Sequence, residues 1–342
     1  MSVITIRGRM ESSRIVVNEP LQNLRNHLEH SRAIVITDRR VNRLYHDLFS
    51  DYEVIEIGCG EGIKTLRTVE GICRKLVDME ADRTTFIVGI GGGIVCDIAG
   101  FAASVYMRGL NFGFAPTTLL AQVDAGIGGK NGVNLAGYKN MIGLFQQPRF
   151  VLCDPGVLQT LPAREISCGL AEIVKHAAIG DRELFEFLEH SLRGIDALEE
   201  KTMEKIILGS LRVKADIVNR DERENGERKK LNFGHSFAHA LEKISGIPHG
   251  RAVSIGMVAA ARISVKKKLL PAEESERLKA LLQAMKLPVE IPIERREIFE
   301  AVKKDKKRRS GKMDYVLLDS IGHAVITEIP LAELREVIDD LC

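Results

Sequence analysis

The chain has 342 residues, 45% hydrophobic and 28% charged, which suits a globular protein of two domains with ample core. A formal charge of +2 gives no sign of nucleic-acid or membrane-surface binding. Cys59, Cys73, Cys96, Cys153, Cys168 and Cys342 form no C-x-x-C pair, and several lie in apolar segments. They read as reduced intracellular thiols, not as a disulfide framework or a cysteine zinc site. No uncharged apolar run reaches the roughly 18 residues of a membrane span, and the N-terminus lacks a signal-peptide pattern. The expected compartment is the cytoplasm.

Short strands are expected at residues 4–7 and 14–17, and a helix at 21–30. Residues 33–37 (AIVIT) form a buried strand ending at Asp38, and 41–49 a helix. A strand at 53–57 precedes the turn Gly58-Cys59-Gly60, and 64–80 is a long amphipathic helix. Residues 85–89 (TFIVG) form another buried strand. Such alternation predicts a mostly parallel sheet with helices on both faces.

The stretch GIGGGIVCDIAGFAAS then runs a strand into Gly89, Gly91, Gly92 and Gly93, followed by a helix of small residues. Glycines there let a phosphate approach the backbone, and a helix N-terminus attracts anions. The spacing differs from G-x-G-x-x-G, so a tight structural turn is an equal reading. Asp97 follows one turn into the helix. Asp38, at a strand C-terminus, is a candidate ribose partner. Pro116-Thr117-Thr118 starts another helix with Asp124 near its end. Glycine loops then present Lys130, and Lys139 with Asn140, as a possible phosphate grip.

Pro155 marks the expected join, giving an α/β domain over 1–154 and a mainly helical domain over 155–342. Helical periodicity covers 164–179, 181–191, 197–219, 253–268 and 271–285, with a small hairpin at 313–318 and 324–329. Glu172 and Lys175 sit at i, i+3. Residues 221–243, DERENGERKKLNFGHSFAHALEK, carry the densest chemistry. As one helix they would place Glu224, Arg228, Asn232, His235 and His239 on an arc of about 80°, in mostly apolar surroundings around the last three, with Gly226 and Gly234 as the points where the helix could be interrupted. Lys214 would join that arc if the helix were continuous. Pro248-His249-Gly250 reads as a turn exposing a third histidine. Glu172, His235 and His249 would make a two-His-one-carboxylate metal set suited to catalytic Zn²⁺, with His239 competing for the place of His249. The run at 303–309 is basic and reads equally well as a solvated loop.

Taken together, GGGIVCDIAGF, YMRG, PTTLLAQVD, GGKNGVN, KNMIG, GLAEIVKH, DERENGERKKLNFGHSFAHALE, PHG and DKK resemble, in order, the motifs of the 3-dehydroquinate synthases. The resemblance spans residues 38–307. It implies an N-terminal Rossmann-like NAD-binding α/β domain, a helical metal-binding domain and a homodimer. The implied reaction converts 3-deoxy-D-arabino-heptulosonate 7-phosphate to 3-dehydroquinate and phosphate. It proceeds by transient NAD-dependent oxidation, phosphate elimination, reduction and intramolecular aldol addition.

Carried over by residue, the resemblance makes Glu172, His235 and His249 the ligands of Zn²⁺ or Co²⁺. The NAD site would include Asp38, Glu61, Lys64, Gly92, Gly93, Asp97, Thr117, Thr118, Asp124, Lys130, Lys139 and Thr160. Lys130, Asn140, Asn232, one lysine of the Lys306–Lys307 pair, with Lys306 favoured, and Arg108 would hold the substrate phosphate, Arg108 from the other subunit. Lys214 and Arg228 would grip the substrate carboxylate, and Lys175, Glu224 and His239 would complete the site. Arg40, Cys96 and Ala125 depart from the family pattern, where asparagine, glycine and serine are expected, and Asn131 is unusual. Rival readings are a sister sugar-phosphate cyclase of the 2-deoxy-scyllo-inosose or valiolone type, and a glycerol-type metal dehydrogenase. The pair Lys214 and Arg228 argues against the first, and the lysine loops with Arg228 against the second.

Overall fold

The computed structural model describes residues 1–8, 11–28, 32–291, 308–309 and 312–330. It divides into two compact units, Met1–Leu161 and Pro162–Cys342. The first unit runs past the join expected at Pro155. The segment Pro155–Thr160 is a 3₁₀ turn with Val157 and Leu158 buried, and the Tyr45 hydroxyl donates to the Val157 carbonyl at 3.0 Å.

The first unit contains β1 (Ser2–Arg7), β2 (Ser12–Val17), β3 (Ala33–Asp38), α1 (Arg39–Tyr45), β4 (Glu53–Ile57) and α2 (Leu66–Asp78). It continues with β5 (Phe86–Gly91), α3 (Gly93–Val105), β6 (Phe112–Pro116), β7 (Lys130–Leu135), β8 (Tyr138–Phe145) and β9 (Phe150–Cys153). Seven strands form one sheet in the order β1-β2-β9-β6-β5-β3-β4. Only the β1–β2 edge pair is antiparallel; the other neighbours are parallel. β5 is buried along its whole length, as a parallel strand covered on both faces must be. The chain adds β4 on one side of β3, then returns to lay down β5 and β6 on the other. This reversal puts a topological switch point at the C-terminal ends of β3 and β5, where open α/β sheets bind their ligands.

Residues 130–145, read from the sequence as two loops, are an antiparallel hairpin. Its turn uses Ala136 and Gly137, both at positive φ (50° and 79°), as a two-residue hairpin turn requires. The strands carry Lys, Asn and Gly in place of the usual β-formers. Gly132 and Gly143 face each other so closely that a Cβ on Gly143 would lie 2.3 Å from the Asn131 carbonyl oxygen. Lys130 therefore opens a strand, and Lys139 and Asn140 lie just past the turn in β8. Neither β6 nor β9 was among the expected strands.

The second unit contains α4 (Ala163–Gly180), α5 (Arg182–His190), α6 (Leu192–Asp196), α7 (Glu200–Arg220), α8 (His235–Ser245), α9 (His249–Lys266) and α10 (Ala272–Ala284). Among the described residues it also has a sheet of β10 (Arg308–Arg309), β11 (Lys312–Ser320) and β12 (His323–Pro330). α4 is the central helix, packed by α5, α7, α9, α10 and the β11–β12 hairpin. It is buried on all sides from Cys168 to Ile179, which makes the two carboxylate- and ammonium-bearing residues of that stretch, Glu172 and Lys175, conspicuous. The Ser264 hydroxyl accepts from the Leu318 N–H at 3.0 Å and donates to the Ala260 carbonyl at 2.9 Å, pinning β11 to α9.

The single helix expected over 221–243 is not formed. A turn follows Asp221, a 3₁₀ segment covers Glu227–Asn232, and α8 begins only at His235. The breaks fall at residues off the helical conformation: Glu224 is left-handed at φ 62°, Gly226 is non-helical (φ −152°, ψ −95°), and Gly234 is left-handed at φ 76°. Likewise His249 is not in a turn but is the first residue of α9.

Candidate active site

The centre of the second unit is a carboxylate with two imidazoles. Glu172 projects from α4, His235 from the first turn of α8 and His249 from the first turn of α9, and one donor atom of each lies within 4.8 Å of the others. The Glu172 Oε1 atom is 3.4 Å from Nε2 of His249 and 3.8 Å from Nε2 of His235. Close backbone packing makes this convergence possible. A Cβ on Gly250 would fall 2.3 Å from the Cys168 Cα, so the start of α9 rests directly on α4. A Cβ on Gly256 would fall 2.0 Å from the Gly234 carbonyl oxygen, which seats α9 under the loop entering α8.

The other ring nitrogens have partners as well. His235 Nδ1 lies 3.1 Å from the Phe233 carbonyl oxygen, and His249 Nδ1 lies 2.6 Å from Glu242 Oε1. Both rings thus turn Nε2 toward Glu172, the arrangement by which a protein aims histidines at a cation. The electrostatics divide the pair. Burial, followed by the positive charge of Lys175, holds His235 well below the ordinary histidine value. Burial also acts to lower His249, but hydrogen bonds to Glu172 and Glu242 outweigh it and raise its pKa to about 10. The two carboxylates demand positive charge at this point, and a divalent cation would satisfy that demand. A two-His-one-carboxylate set whose donor atoms converge within 4.8 Å fits Zn²⁺ or Co²⁺.

Around this centre, Lys175 pairs with Glu172 one turn along α4, both fully enclosed. The His239 ring lies 5.6 Å from that of His235, edge to face, and is exposed. Lys214 is buried on α7. Arg228 is buried in the 3₁₀ segment and donates through Nη1 to the Glu222 carbonyl. The loop holding it is organised by Asp221, whose carboxylate accepts from the N–H groups of Asn225 at 3.0 Å, Gly226 at 2.7 Å and Arg228 at 3.1 Å. Asn232 donates to Glu224 Oε1 at 2.5 Å. The broken helix thus still brings Glu224 and Asn232 together, by a turn instead of a helical arc.

In the first unit the glycine turn between β5 and α3 lies at the switch point. An added Cβ would meet Thr118 Cγ2 at 3.1 Å from Gly92 and the Ala125 Cβ at 2.8 Å from Gly93. Thr117 N–H donates to the Gly91 carbonyl at 2.9 Å, and the Thr118 hydroxyl accepts from the Ala121 N–H at 3.2 Å. Asp124 lies in the short helical turn that follows. Cys96 is buried with its thiol pushed up by burial, and it points its Sγ at the Gly91 carbonyl oxygen, 3.8 Å away. Asn131 is buried against Gly100 and donates to the carbonyls of Gly129 and Gln146 at 3.1 and 2.9 Å, a local reason for its presence.

A polar chain runs beside this turn. The buried Lys64 ammonium pairs with Asp97 and donates to Asn140 Oδ1 at 2.5 Å. Asn134 accepts from the Asn140 N–H at 2.9 Å and donates to Glu61 Oε1 at 2.7 Å. Glu61, Lys64, Asp97 and Asn140 therefore form one cluster. Asp38 caps α1, accepting from Arg40 N–H at 2.8 Å and Val41 N–H at 3.0 Å; Arg40 serves that cap through its main chain. Thr160 pairs with the Tyr45 hydroxyl. Lys130 and Lys139 are exposed on the hairpin, and Arg108 is exposed with φ 70°. Lys306 lies outside the described residues. Asn134, Asp221 and Glu242 were not among the expected site residues. Glu242 had a signal, being seven residues after His235 and seven before His249.

The fold, an α/β unit followed by a helical one, is that of solved sugar-phosphate cyclases, and the donor set of the helical unit suits a divalent metal. Within that class the assignment is specific. Models of the 3-dehydroquinate synthase N-terminal and C-terminal domains match residues 54–168 and 169–308, and the chain belongs to the 3-dehydroquinate synthase family. It is 40% identical over 324 residues to 3-dehydroquinate synthase of Synechococcus sp., covering 90% of this chain and 88% of that one. It is 42% identical over 317 residues to that of Geobacter metallireducens, covering 89% and 88%. Among solved structures, 2-deoxy-scyllo-inosose synthase complexed with carbaglucose-6-phosphate, NAD⁺ and Co²⁺ superposes with a TM-score of 0.90 at 26% identity over the full length of both chains. The 2-epi-5-epi-valiolone synthase of Streptomyces hygroscopicus, with NAD⁺ and Zn²⁺ bound, gives 0.87 at 28% identity, covering 100% and 99%. No described helix is long and apolar enough to cross a membrane.

Proposed function

We propose that the chain converts 3-deoxy-D-arabino-heptulosonate 7-phosphate to 3-dehydroquinate and phosphate, with NAD recycled in place and Zn²⁺ or Co²⁺ held by Glu172, His235 and His249. The observation that carries the reading is the convergence of those three side chains in a chain about 40% identical to 3-dehydroquinate synthases. When bound, the cofactor supplies hydride exchange and the metal supplies Lewis acidity toward the substrate's oxygen atoms.

The remaining work falls to this chain's own groups. Arg228 offers a planar fork, and Lys214 a point charge, for the substrate carboxylate. The Arg228 loop is braced by Asp221 and the Glu222 carbonyl, so the fork is presented in a fixed pose. Lys130, Asn140, Arg108, Asn232 and Lys306 are the proposed phosphate-binding groups; cations and amides there orient the leaving group. Glu224 orients Asn232 through their hydrogen bond. Lys175 offsets the Glu172 charge. His239, exposed beside His235, is placed to hold and pass on a proton. NAD binding is assigned to Asp38, Glu61, Lys64, Gly92, Gly93, Asp97, Thr117, Thr118, Asp124, Lys130, Lys139 and Thr160. The chain acts as a homodimer in the cytoplasm, with Arg108 reaching across the subunit interface; its exposure and left-handed backbone support that role.

The test is a substrate panel with added NAD⁺ and Zn²⁺. Phosphate release from 3-deoxy-D-arabino-heptulosonate 7-phosphate, and not from glucose 6-phosphate or sedoheptulose 7-phosphate, is expected. Release from either of the latter alone would point to a sister cyclase and refute the carboxylate role of Lys214 and Arg228.

A further inference from the structure

We infer that Glu242 is a positioning residue for the metal centre, fixing the tautomer and aim of His249. This rests on the reading that Glu172, His235 and His249 hold the metal. An imidazole ligates through one nitrogen only if the other carries the proton, and that proton needs an acceptor to hold the ring in place. The two histidines solve this differently. His235 uses a main-chain acceptor, the Phe233 carbonyl, at 3.1 Å. His249 uses a side-chain carboxylate, Glu242 Oε1, at 2.6 Å from Nδ1. The second arrangement adds negative charge behind the ring, makes Nε2 a better donor and strengthens its hold on a dication.

The local fold builds this contact. Glu242 follows His235 by seven residues on α8, about two turns, so both lie on one helix face. Gly246 then takes the left-handed conformation (φ 66°) that ends α8. Pro248 precedes α9, and Gly250 lets its first turn rest on Cys168 of α4. The reversal therefore returns His249 between Glu242 on α8 and Glu172 on α4, and it contacts both. Glu242 is largely enclosed, with 10% of its side chain exposed, so water competes poorly for the contact.

The experiment measures Zn²⁺ affinity by chelator competition, and the visible spectrum of the Co²⁺-loaded protein, for the full chain and for Glu242→Ala and Glu242→Gln. Glu242→Ala is expected to weaken Zn²⁺ binding by about 10–100-fold and to shift the Co²⁺ spectrum. Glu242→Gln keeps an acceptor without the charge and should fall between. NAD⁺ affinity should not change in either variant. If Glu242→Ala fails to fold, Glu242→Gln carries the test alone. A purely structural role would lower the melting temperature of the metal-free protein while leaving the Co²⁺ spectrum of folded variants unaltered, and that result overturns the inference. Wild-type Zn²⁺ affinity in both variants also overturns it while leaving the metal site intact. Failure of the wild-type chain to bind Zn²⁺, or binding indifferent to Glu172→Gln, would instead remove the metal site itself and the role of Glu242 with it.

Discussion

At the scale of single residues, Arg228 makes the sharpest claim. A buried guanidinium is costly unless it is hydrogen-bonded, and this one is braced by the Glu222 carbonyl from a loop organised by Asp221. Arg228→Ala is expected to lower kcat/KM by roughly 10²–10³-fold, with Zn²⁺ and NAD⁺ affinities close to those of the wild type. Steady-state kinetics beside binding titrations would check this; near-normal kcat/KM would remove the carboxylate role. Residue chemistry was legible in the sequence where several rare groups clustered, as in 221–243. It was not legible where two residues of the same type competed. Spacing alone could not choose between His239 and His249 as partner of His235, because the choice depends on how α9 is seated. In the structure His249 reaches Glu172 at 3.4 Å, whereas His239 is exposed, its ring 5.6 Å from that of His235.

At the scale of elements, the seat of α9 on α4 is made by glycine. Gly250→Ala would put a methyl group 2.3 Å from the Cys168 Cα, and backbone cannot yield as a flexible side chain can. The variant should lose about 1–3 kcal/mol of stability and bind Zn²⁺ more weakly, because His249 moves with the helix. Thermal denaturation and chelator competition would read both effects. Unchanged Zn²⁺ affinity in a destabilised protein would separate the seat from the site. Glycine decides the elements where local spacing or composition departs from the fold, and Gly226 and Gly234 were already legible as points where the helix could break. Residues 221–243 have helical spacing, but Gly226 and Gly234 break the run into a turn, a 3₁₀ segment and α8. The β7–β8 hairpin has the composition of a loop, and its pairing depends on Gly132 meeting Gly143, a non-local contact invisible to a local window. By contrast β3 and β5, short apolar runs ended by Asp38 and by the glycine turn, were readable because parallel strands covered on both faces need continuous apolar sequence.

At the scale of the whole molecule, the alternation of strand and helix followed by helix alone foretold two units of different class. The boundary was harder to see: Pro155 reads as a break, but Val157 and Leu158 stay buried in the first unit, which ends at Leu161. The proposed metal site makes a global prediction. Chelation should abolish turnover, and Zn²⁺ or Co²⁺ should restore it. Full activity in protein shown by elemental analysis to be metal-free would refute the role of Glu172, His235 and His249. The most direct measurement supplies 3-deoxy-D-arabino-heptulosonate 7-phosphate in large excess over NAD⁺, with Zn²⁺ present. Phosphate, 3-dehydroquinate and reduced nicotinamide are then followed together, as a test of a cofactor that is recycled and not consumed. Phosphate and 3-dehydroquinate should appear in equal amounts over many turnovers with no net NADH. Product limited to the amount of NAD⁺, or NADH accumulating without phosphate, would contradict the assignment and leave a simple dehydrogenase.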